Sequence, residues 1–223
     1  MTSLPRKILV ETIGTFVFVF IGCAVVLTDF YPKAGYHLFG IAVAHGLALG
    51  IMITAAMPIS GGHLNPAVTI GLWSVRRIDG RSALGYILGQ LSGGVLGALA
   101  VRVLLPGNIT SVGTLGTPAL VSTFGFSEGI LLEALLTFIL VWAVFGTVVN
   151  PEAPKVGGFG IGLVLVFDIM VGGPLTGAAV NPARAFGPAL VSGTWYAQPV
   201  WWVGPIIGAI LAAQLWERVI LKK

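Results

Sequence analysis

The sequence predicts an all-α membrane protein in which six transmembrane helices and two re-entrant half-helices form an inverted repeat. Of its 223 residues, 56% are hydrophobic and 9% are charged, whereas about 25% are charged in an average soluble domain. Six apolar stretches are long enough to cross a bilayer, which takes about 20 residues per helix. Two shorter apolar stretches each begin with proline and sit at matching places in the two halves.

The predicted transmembrane helices follow the six long apolar stretches. Small residues at four-residue spacing, such as Gly85, Gly89, Gly93 and Gly97, let helix backbones approach closely. They predict one compact transmembrane domain over residues 1–223. Tryptophans near the ends of the spans are interpreted as interfacial anchors: Trp73, Trp195, Trp201, Trp202 and Trp216. The spans cover residues 8–28, 37–57, 82–105, 127–149, 157–174 and 199–220.

The two shorter stretches, residues 66–74 and 182–191, are interpreted as half-helices. Each opens with proline, which suits a first helical turn because its missing N–H would have no partner there. Residues 59–67 align with residues 175–183, and Asn181 follows Asn65 by 116 residues (181 − 65). The chain therefore repeats, with halves of approximately 1–105 and 127–223. Each half holds three spans, so the second half is inverted, which places the functional site near the membrane midplane.

The distribution of basic residues predicts the orientation. Of 12 Lys and Arg, nine fall at the termini or at connections that six spans place on one side, and the positive-inside rule assigns that side to the cytoplasm. We therefore expect a multi-pass protein of the cell membrane with both termini cytoplasmic. The nine residues are Arg6, Lys7, Arg76, Arg77, Arg81, Lys155, Arg218, Lys222 and Lys223.

Composition excludes several functions. The net charge of +4 rests on few charged residues and does not indicate a nucleic-acid partner. The single cysteine, Cys23, excludes an intramolecular disulfide and a thiolate metal site. No set of nucleophile, base and orienting residue typical of an enzyme is present, and no cofactor or metal is implied.

Two Asn-Pro-Ala triplets, the second continued by Arg184, lie in this six-span inverted repeat. The combination resembles the aquaporin, or major intrinsic protein, family over nearly the whole chain. The resemblance implies a homotetramer in the lipid bilayer that passes water and excludes protons and ions. Small neutral solutes such as glycerol, urea or ammonia stay open as further permeants. The triplet residues are Asn65, Pro66, Ala67, Asn181, Pro182 and Ala183.

The stretches before the triplets predict a pore. Non-helical backbone inside a bilayer is tolerated only where it is buried or lines a water-filled path, so we expect backbone carbonyls to form a hydrogen-bonding ladder there. The half-helix N-termini, each with about half a positive charge, meet at mid-membrane and repel cations. The resemblance implies that Asn65 and Asn181 donate to a passing water. The expected pore-lining and loop-support residues are Gly61, Gly62, His63, Gly177, Ala179, Glu11 and Glu133.

Three acids inside the membrane need partners, because an unpartnered one costs roughly 2.5 to 3.5 kcal/mol or more. We expect Glu11 and Glu133 to accept backbone N–H groups of the two re-entrant stretches. Asp168 is interpreted as a packed acid with a partner, or as a support for the stretch near Arg184. His63 is expected to point into the pore.

The resemblance places a second constriction at His45, Ile169, Ala178 and Arg184. Strict water channels have a bulky aromatic residue in place of His45 and a histidine in place of Ile169. The pattern seen here is similar to plant vacuolar-type members, which are associated with ammonia or urea passage beside water. A packing role for His45 and a structural ion pair for Arg184 are the alternatives.

Water is nevertheless predicted as the main permeant. Glycerol facilitators commonly have an acid directly after Asn-Pro-Ala-Arg and a basic residue four positions later, and these positions are Ala185 and Ala189 here. The alternative function is a secondary transporter, because inverted repeats and broken helices suit alternating access. An adhesion or structural protein is disfavoured by mostly short, charge-poor loops.

Overall fold

The computed structural model describes residues 2–30, 34–111, 114–154 and 156–221, and these contain six helices long and apolar enough to cross a membrane. They confirm the six predicted spans, with bounds that agree within about one helical turn when the π-helical ends Phe145–Val149 and Trp216–Ile220 are counted with the helices they continue. Lys155, Lys222 and Lys223 lie outside the described residues. The helices are α1 (Leu4–Asp29), α2 (His37–Ala56), α3 (Pro66–Ser74), α4 (Gly80–Leu104), α5 (Gly107–Thr110), α6 (Phe126–Val144), α7 (Phe159–Thr176), α8 (Pro182–Ser192) and α9 (Val200–Leu215).

The half-helices α3 and α8 begin where the sequence predicts them. Asn65 and Asn181 have extended backbone and precede the first helical residues, Pro66 and Pro182. Each asparagine side chain caps its own helix, because Oδ1 accepts the backbone N–H two residues later at 2.9 Å. This side-chain acceptor satisfies one of the N–H groups that every helix start leaves without a partner.

Glycine allows the long helices to pack in matching pairs. Helix α1 packs along α4, α6 along α9, and α2 crosses α7. A Cβ atom built at Gly93 of α4 would collide with the Thr12 carbonyl oxygen of α1. A Cβ built at Gly208 of α9 would collide in the same way with the Ala134 carbonyl oxygen of α6. The two halves therefore use the same close helix contact.

We expect Gly208→Ala to destabilise the fold by about 1 to 3 kcal/mol, the usual cost of overpacking a well-packed contact. The added methyl group meets rigid backbone at Ala134 and cannot be accommodated by a side-chain rotation. Thermal unfolding of the purified protein in detergent measures the effect. Gly107→Ala is the matched control, because a methyl group added there would have nothing within 4 Å. Equal unfolding temperatures for the two variants would contradict the close-packing argument.

The end of α3 is tied to the end of the chain. Gln214 Nε2 donates to the Ser74 carbonyl oxygen at 3.1 Å. The Arg77 guanidinium makes a two-pronged ion pair with Glu217, with N···O distances of 2.9 and 3.1 Å. Nearby, Asp79 caps α4, and its hydrogen bonds from Ser82 hold the pKa of Asp79 below its usual value. These contacts fix the half-helix at its far end from Asn65.

Candidate functional site

The two re-entrant stretches meet through reciprocal hydrogen bonds. Asn65 Nδ2 donates to the Val180 carbonyl oxygen at 2.8 Å, and Asn181 Nδ2 donates to the Leu64 carbonyl oxygen at 2.9 Å. Each amide therefore donates one of its two N–H groups to the opposite stretch, and its Oδ1 accepts from its own helix. The second N–H of each amide has no acceptor among the described residues.

Glu11 and Glu133 hold the two stretches from behind, as the sequence predicts for acids at this depth. Both side chains are fully buried. Each carboxylate accepts one hydroxyl and two consecutive backbone N–H groups, at distances between 2.6 and 3.0 Å. These donors are Ser60, His63 and Leu64 for Glu11, which also accepts from the Gln90 amide, and Thr176, Ala179 and Val180 for Glu133.

These bonds maintain a strained backbone. Leu64, Ala178 and Val180 have φ values of 49°, 43° and 43°, a left-handed region that side chains rarely adopt. Such a residue costs on the order of 1 to 3 kcal/mol and persists only where its surroundings fix it. At Val180 the N–H is held by Glu133 and the carbonyl by Asn65. Val180 is therefore fixed on both sides of its strained backbone.

Three consecutive carbonyls in each stretch accept no hydrogen bond from the described part of the chain. The first set precedes Leu64 and the second precedes Val180, so the sets correspond in the repeat. Each set is a row of three adjacent hydrogen-bond acceptors. The residues are Gly61, Gly62 and His63, and Gly177, Ala178 and Ala179.

One side of the asparagine pair opens into a cavity of about 260 Å³, which we call the His63 cavity. Gly61, Gly62, His63 and Asn65 lie in its wall, beside apolar side chains of α2, α6 and α7. The His63 ring contacts the Thr69 hydroxyl at 3.1 Å. The imidazole therefore lines this cavity, and Thr69 sets its direction.

A second cavity of about 420 Å³, which we call the His45 cavity, contains three of the four predicted constriction residues. His45, Ile169 and Arg184 lie in its wall with the loop residues 116–121 and Gly177. Ala178, the fourth, is buried and lies outside the described lining. The structure therefore brings an imidazole, an aliphatic side chain and a guanidinium to one opening.

Arg184 has no acidic partner in the part of the chain that the structure describes. Its side chain is 5% exposed, and Nη1 donates to the Gly116 carbonyl oxygen at 2.7 Å. Within the described residues the one ion pair closer than 4.0 Å is Arg77 with Glu217. The structural ion pair considered for Arg184 is therefore wrong, and its positive charge stays available at the cavity.

His45 has one ring nitrogen, Nε2, that can accept a hydrogen bond. Its Nδ1 lies 2.9 Å from the Ile41 carbonyl oxygen, which only accepts, so Nδ1 holds the proton and Nε2 of the neutral ring accepts. Gly22 of α1 makes room for the ring, because a Cβ at that position would lie 2.5 Å from Nε2. His45 thus both packs against α1 and reaches the cavity wall.

Two expectations are wrong. Asp168 is fully buried, but neither carboxylate oxygen has a hydrogen-bond partner among the described residues, so the expected partner is missing. Trp201, expected as an interfacial anchor, is fully buried and donates Nε1–H to the Thr176 carbonyl oxygen at 2.9 Å. Trp216 is also buried, at 8% exposure, against Trp142 and Phe145. The second re-entrant stretch thus contacts Trp201, whereas aromatic side chains at the end of the α6 span cover Trp216.

Comparison with known proteins settles the family. A model of the major intrinsic protein family matches residues 1–216. The chain belongs to the major intrinsic protein family. This major intrinsic protein is 42% identical to Aquaporin TIP4-4 of Zea mays over 227 residues, which cover 97% of this chain and 87% of the relative. It is 36% identical to Aquaporin Z of Photorhabdus laumondii, with 98% and 99% covered.

A solved structure has the same fold. The aquaglyceroporin of Plasmodium falciparum superposes on this major intrinsic protein with a TM-score of 0.87 and 25% identity, covering 98% of both chains. The inverted repeat with two re-entrant half-helices is therefore the aquaporin fold. The protein is an aquaporin-type channel and not an enzyme, and the family decides against the secondary transporter.

Sequence reasoning missed several residues that shape this channel. Gly116 supplies the carbonyl that holds Arg184. Gln90 Nε2 donates to Glu11 at 2.8 Å. Tyr86 Oη donates to the Ser60 carbonyl oxygen at 2.7 Å, which matches the Trp201 contact in the other half. The sequence did contain a sign of the Tyr86 and Trp201 contacts. Tyr86 follows Ser60 by 26 residues, and Trp201 follows the aligned Thr176 by 25 residues.

Proposed function

We propose that solutes cross this channel between the His63 cavity and the His45 cavity, past Asn65 and Asn181. The observation that supports this path most directly is the reciprocal pairing of the two asparagine amides, with free backbone carbonyls on both sides. Water is the main permeant and moves passively down an osmotic gradient. Urea, ammonia and glycerol are the small neutral solutes to be tested beside it.

Proton exclusion follows from donors at the middle of the path. The amides of Asn65 and Asn181 donate to the oxygen of a passing water, so this water cannot accept a hydrogen bond from its neighbours in the usual chain. The N-termini of α3 and α8 add about half a positive charge each at the same place. A hydronium or metal cation is repelled there, and the Arg184 guanidinium adds a full charge at the His45 cavity.

His45 and Ile169 leave the constriction wider than in strict water channels. We expect the double variant His45→Phe, Ile169→His to lower urea and glycerol permeability by about tenfold, which corresponds to about 1.4 kcal/mol, with a smaller effect on water. The added ring narrows the opening and the relocated imidazole keeps one hydrogen-bonding group. Swelling of proteoliposomes in each solute measures the change. Unchanged solute flux would remove these residues from the constriction.

Stopped-flow light scattering of proteoliposomes tests the function itself. Shrinkage under an impermeant osmolyte reports water flux, and re-swelling in urea or glycerol reports solute flux, with empty liposomes as the control. Fast shrinkage with a low activation energy supports the water channel. Shrinkage no faster than in empty liposomes contradicts it.

Orientation, membrane and assembly complete the proposal. We place both termini in the cytoplasm, since Arg6, Lys7, Arg76, Arg77 and Arg218 lie on that side in this topology. The cell membrane is our assignment, and a vacuolar membrane is its alternative because the constriction resembles vacuolar-type members. A terminal fluorescent fusion distinguishes the cell membrane from the vacuolar membrane.

The family resemblance favours a homotetramer with one pore per subunit, which native mass spectrometry tests.

A further inference from the structure

Two buried aromatic donors hold the first carbonyl of each re-entrant stretch. Tyr86 Oη donates to the Ser60 carbonyl oxygen at 2.7 Å, and Trp201 Nε1 donates to the Thr176 carbonyl oxygen at 2.9 Å. Their side chains are 2% and 0% exposed. Because Ser60 and Thr176 align in the repeat, the same contact is made twice, once by a phenol and once by an indole.

These bonds define where the row of free carbonyls begins. In the first stretch, the carbonyls of Ser60 and Leu64 accept from Tyr86 and Asn181, and the three between them accept from none of the described residues. In the second stretch, the carbonyls of Thr176 and Val180 accept from Trp201 and Asn65, and the three between them have no donor within the described ranges. Each row is thus fixed at both ends by a side chain from another part of the fold.

Each peptide group that these donors hold has one further hydrogen bond, because the Gly61 and Gly177 N–H groups donate to the Met57 and Gly173 carbonyl oxygens at 3.2 and 3.1 Å. Gly61 and Gly177 follow the two bonded carbonyls and have φ values of 96° and 80°. Glycine rotates more freely than other residues in this region. Without a donor, the buried Ser60 or Thr176 carbonyl would lack a partner, and rotation toward the solute path would give it one.

We propose that Tyr86 and Trp201 are positioning residues for permeation, each directing the first peptide plane so that the following carbonyls face the solute. This role rests on the water-channel function proposed above. Neither side chain touches the solute; each acts through the backbone of the stretch it holds.

The surroundings of the two donors support a matched role. The Tyr86 ring packs edge-on against His63, with centroids 5.1 Å apart. The residue aligned with His63 in the second half is Ala179, which belongs to the same buried cluster as Trp201. In the second half, the large Trp201 indole is therefore combined with the small Ala179. In the first half, the smaller Tyr86 phenol is combined with the large His63.

Flux per channel tests the role. Tyr86→Phe and Trp201→Phe each remove the donor, and we expect about fivefold lower water permeability per reconstituted channel, the factor that one ordinary hydrogen bond is worth, with a higher activation energy. Trp201→Tyr keeps a donor and should recover part of the loss. A role in folding alone would lower the yield of channels but not the flux or activation energy of each. Tyr196→Phe and Trp202→Phe are matched controls outside the stretches.

The hydrogen bond has a readout that does not depend on flux. Thr176–Gly177 is the one Thr-Gly pair in the sequence, so ¹³C-carbonyl threonine with ¹⁵N-glycine gives a single solid-state NMR correlation for the Thr176 carbonyl in bilayers. Trp201→Phe should move this signal upfield, and Trp202→Phe should leave it in place. An unmoved signal, or variants that conduct like their controls, would overturn the positioning role while the wild-type channel stays active. A wild-type protein without water flux would overturn the proposed function as well.

Discussion

Replacing Arg184 with alanine is expected to open the channel to cations and to raise urea and glycerol flux. A unit charge about 4 Å from a cation, at an effective dielectric constant of about 20, contributes about 4 kcal/mol, so cation permeability should rise by up to about a thousandfold. The substitution also removes a side chain from the wall of the His45 cavity. Proteoliposomes loaded with a cation-sensitive dye measure the first effect, and re-swelling measures the second.

The chain offers a matched control for this variant. Arg102 also donates to a backbone carbonyl, that of Val191 at 2.8 Å, but it is exposed and lines neither cavity of the proposed path. Arg102→Ala should therefore leave cation exclusion unchanged. Arg184→Lys keeps the charge and loses the planar fork, so it should retain cation exclusion while altering solute flux. If Arg184→Ala excludes cations as well as Arg102→Ala does, the constriction lies elsewhere.

The parts of the fold that depend on local chemistry could be predicted from the sequence. Apolar length identifies the spans, and a proline after an asparagine identifies the starts of α3 and α8. The Glu11 contacts were also predictable, because a carboxylate in a membrane needs donors and the re-entrant stretch is the nearest source of free backbone N–H groups.

The parts of the fold that depend on contacts between distant residues could not be predicted from the sequence. Gly116 holds Arg184 from a loop whose path no periodicity describes. Trp201 sits near the end of a span in the sequence, which suggests an interfacial position, but the second re-entrant stretch descends beside it and buries it. The reasoning that succeeded for Glu11 failed for Asp168. Asp168 is also a buried acid, but its carboxylate has no donor among the described residues.

The internal repeat extends beyond the Asn-Pro-Ala motifs to residues that pack the helices and hold the re-entrant stretches. It pairs Gly93 with Gly208 as backbone contacts and Tyr86 with Trp201 as carbonyl donors. The residue types differ in the second pair, so identity does not reveal it, whereas a shared ability to donate from a buried aromatic ring does. The repeat conserves the hydrogen bond rather than the side chain that makes it.

The largest effect on stability is expected from Glu11→Ala. Four donors would lose their acceptor: the Ser60 hydroxyl, the His63 and Leu64 N–H groups and the Gln90 amide. An unsatisfied buried donor costs about 1 to 3 kcal/mol, so the total is on the order of 5 kcal/mol. This is a large fraction of the 5 to 15 kcal/mol that typically stabilises a protein. Folded yield and thermal unfolding in detergent measure the loss.

Variants at the other acids separate the loss of acceptors from the loss of charge. Glu133→Ala removes the acceptor of three donors, so it should destabilise the fold somewhat less than Glu11→Ala. Glu11→Gln keeps one acceptor oxygen but turns an NH₂ group toward the remaining donors, and its effect should lie between wild type and alanine. Glu128→Ala is the control, because that carboxylate is exposed and accepts only from Ser127 among the described residues. If Glu11→Ala unfolds at the same temperature as Glu128→Ala, the first re-entrant stretch keeps its conformation without the carboxylate, and the strained φ of Leu64 must be maintained by Asn181 alone.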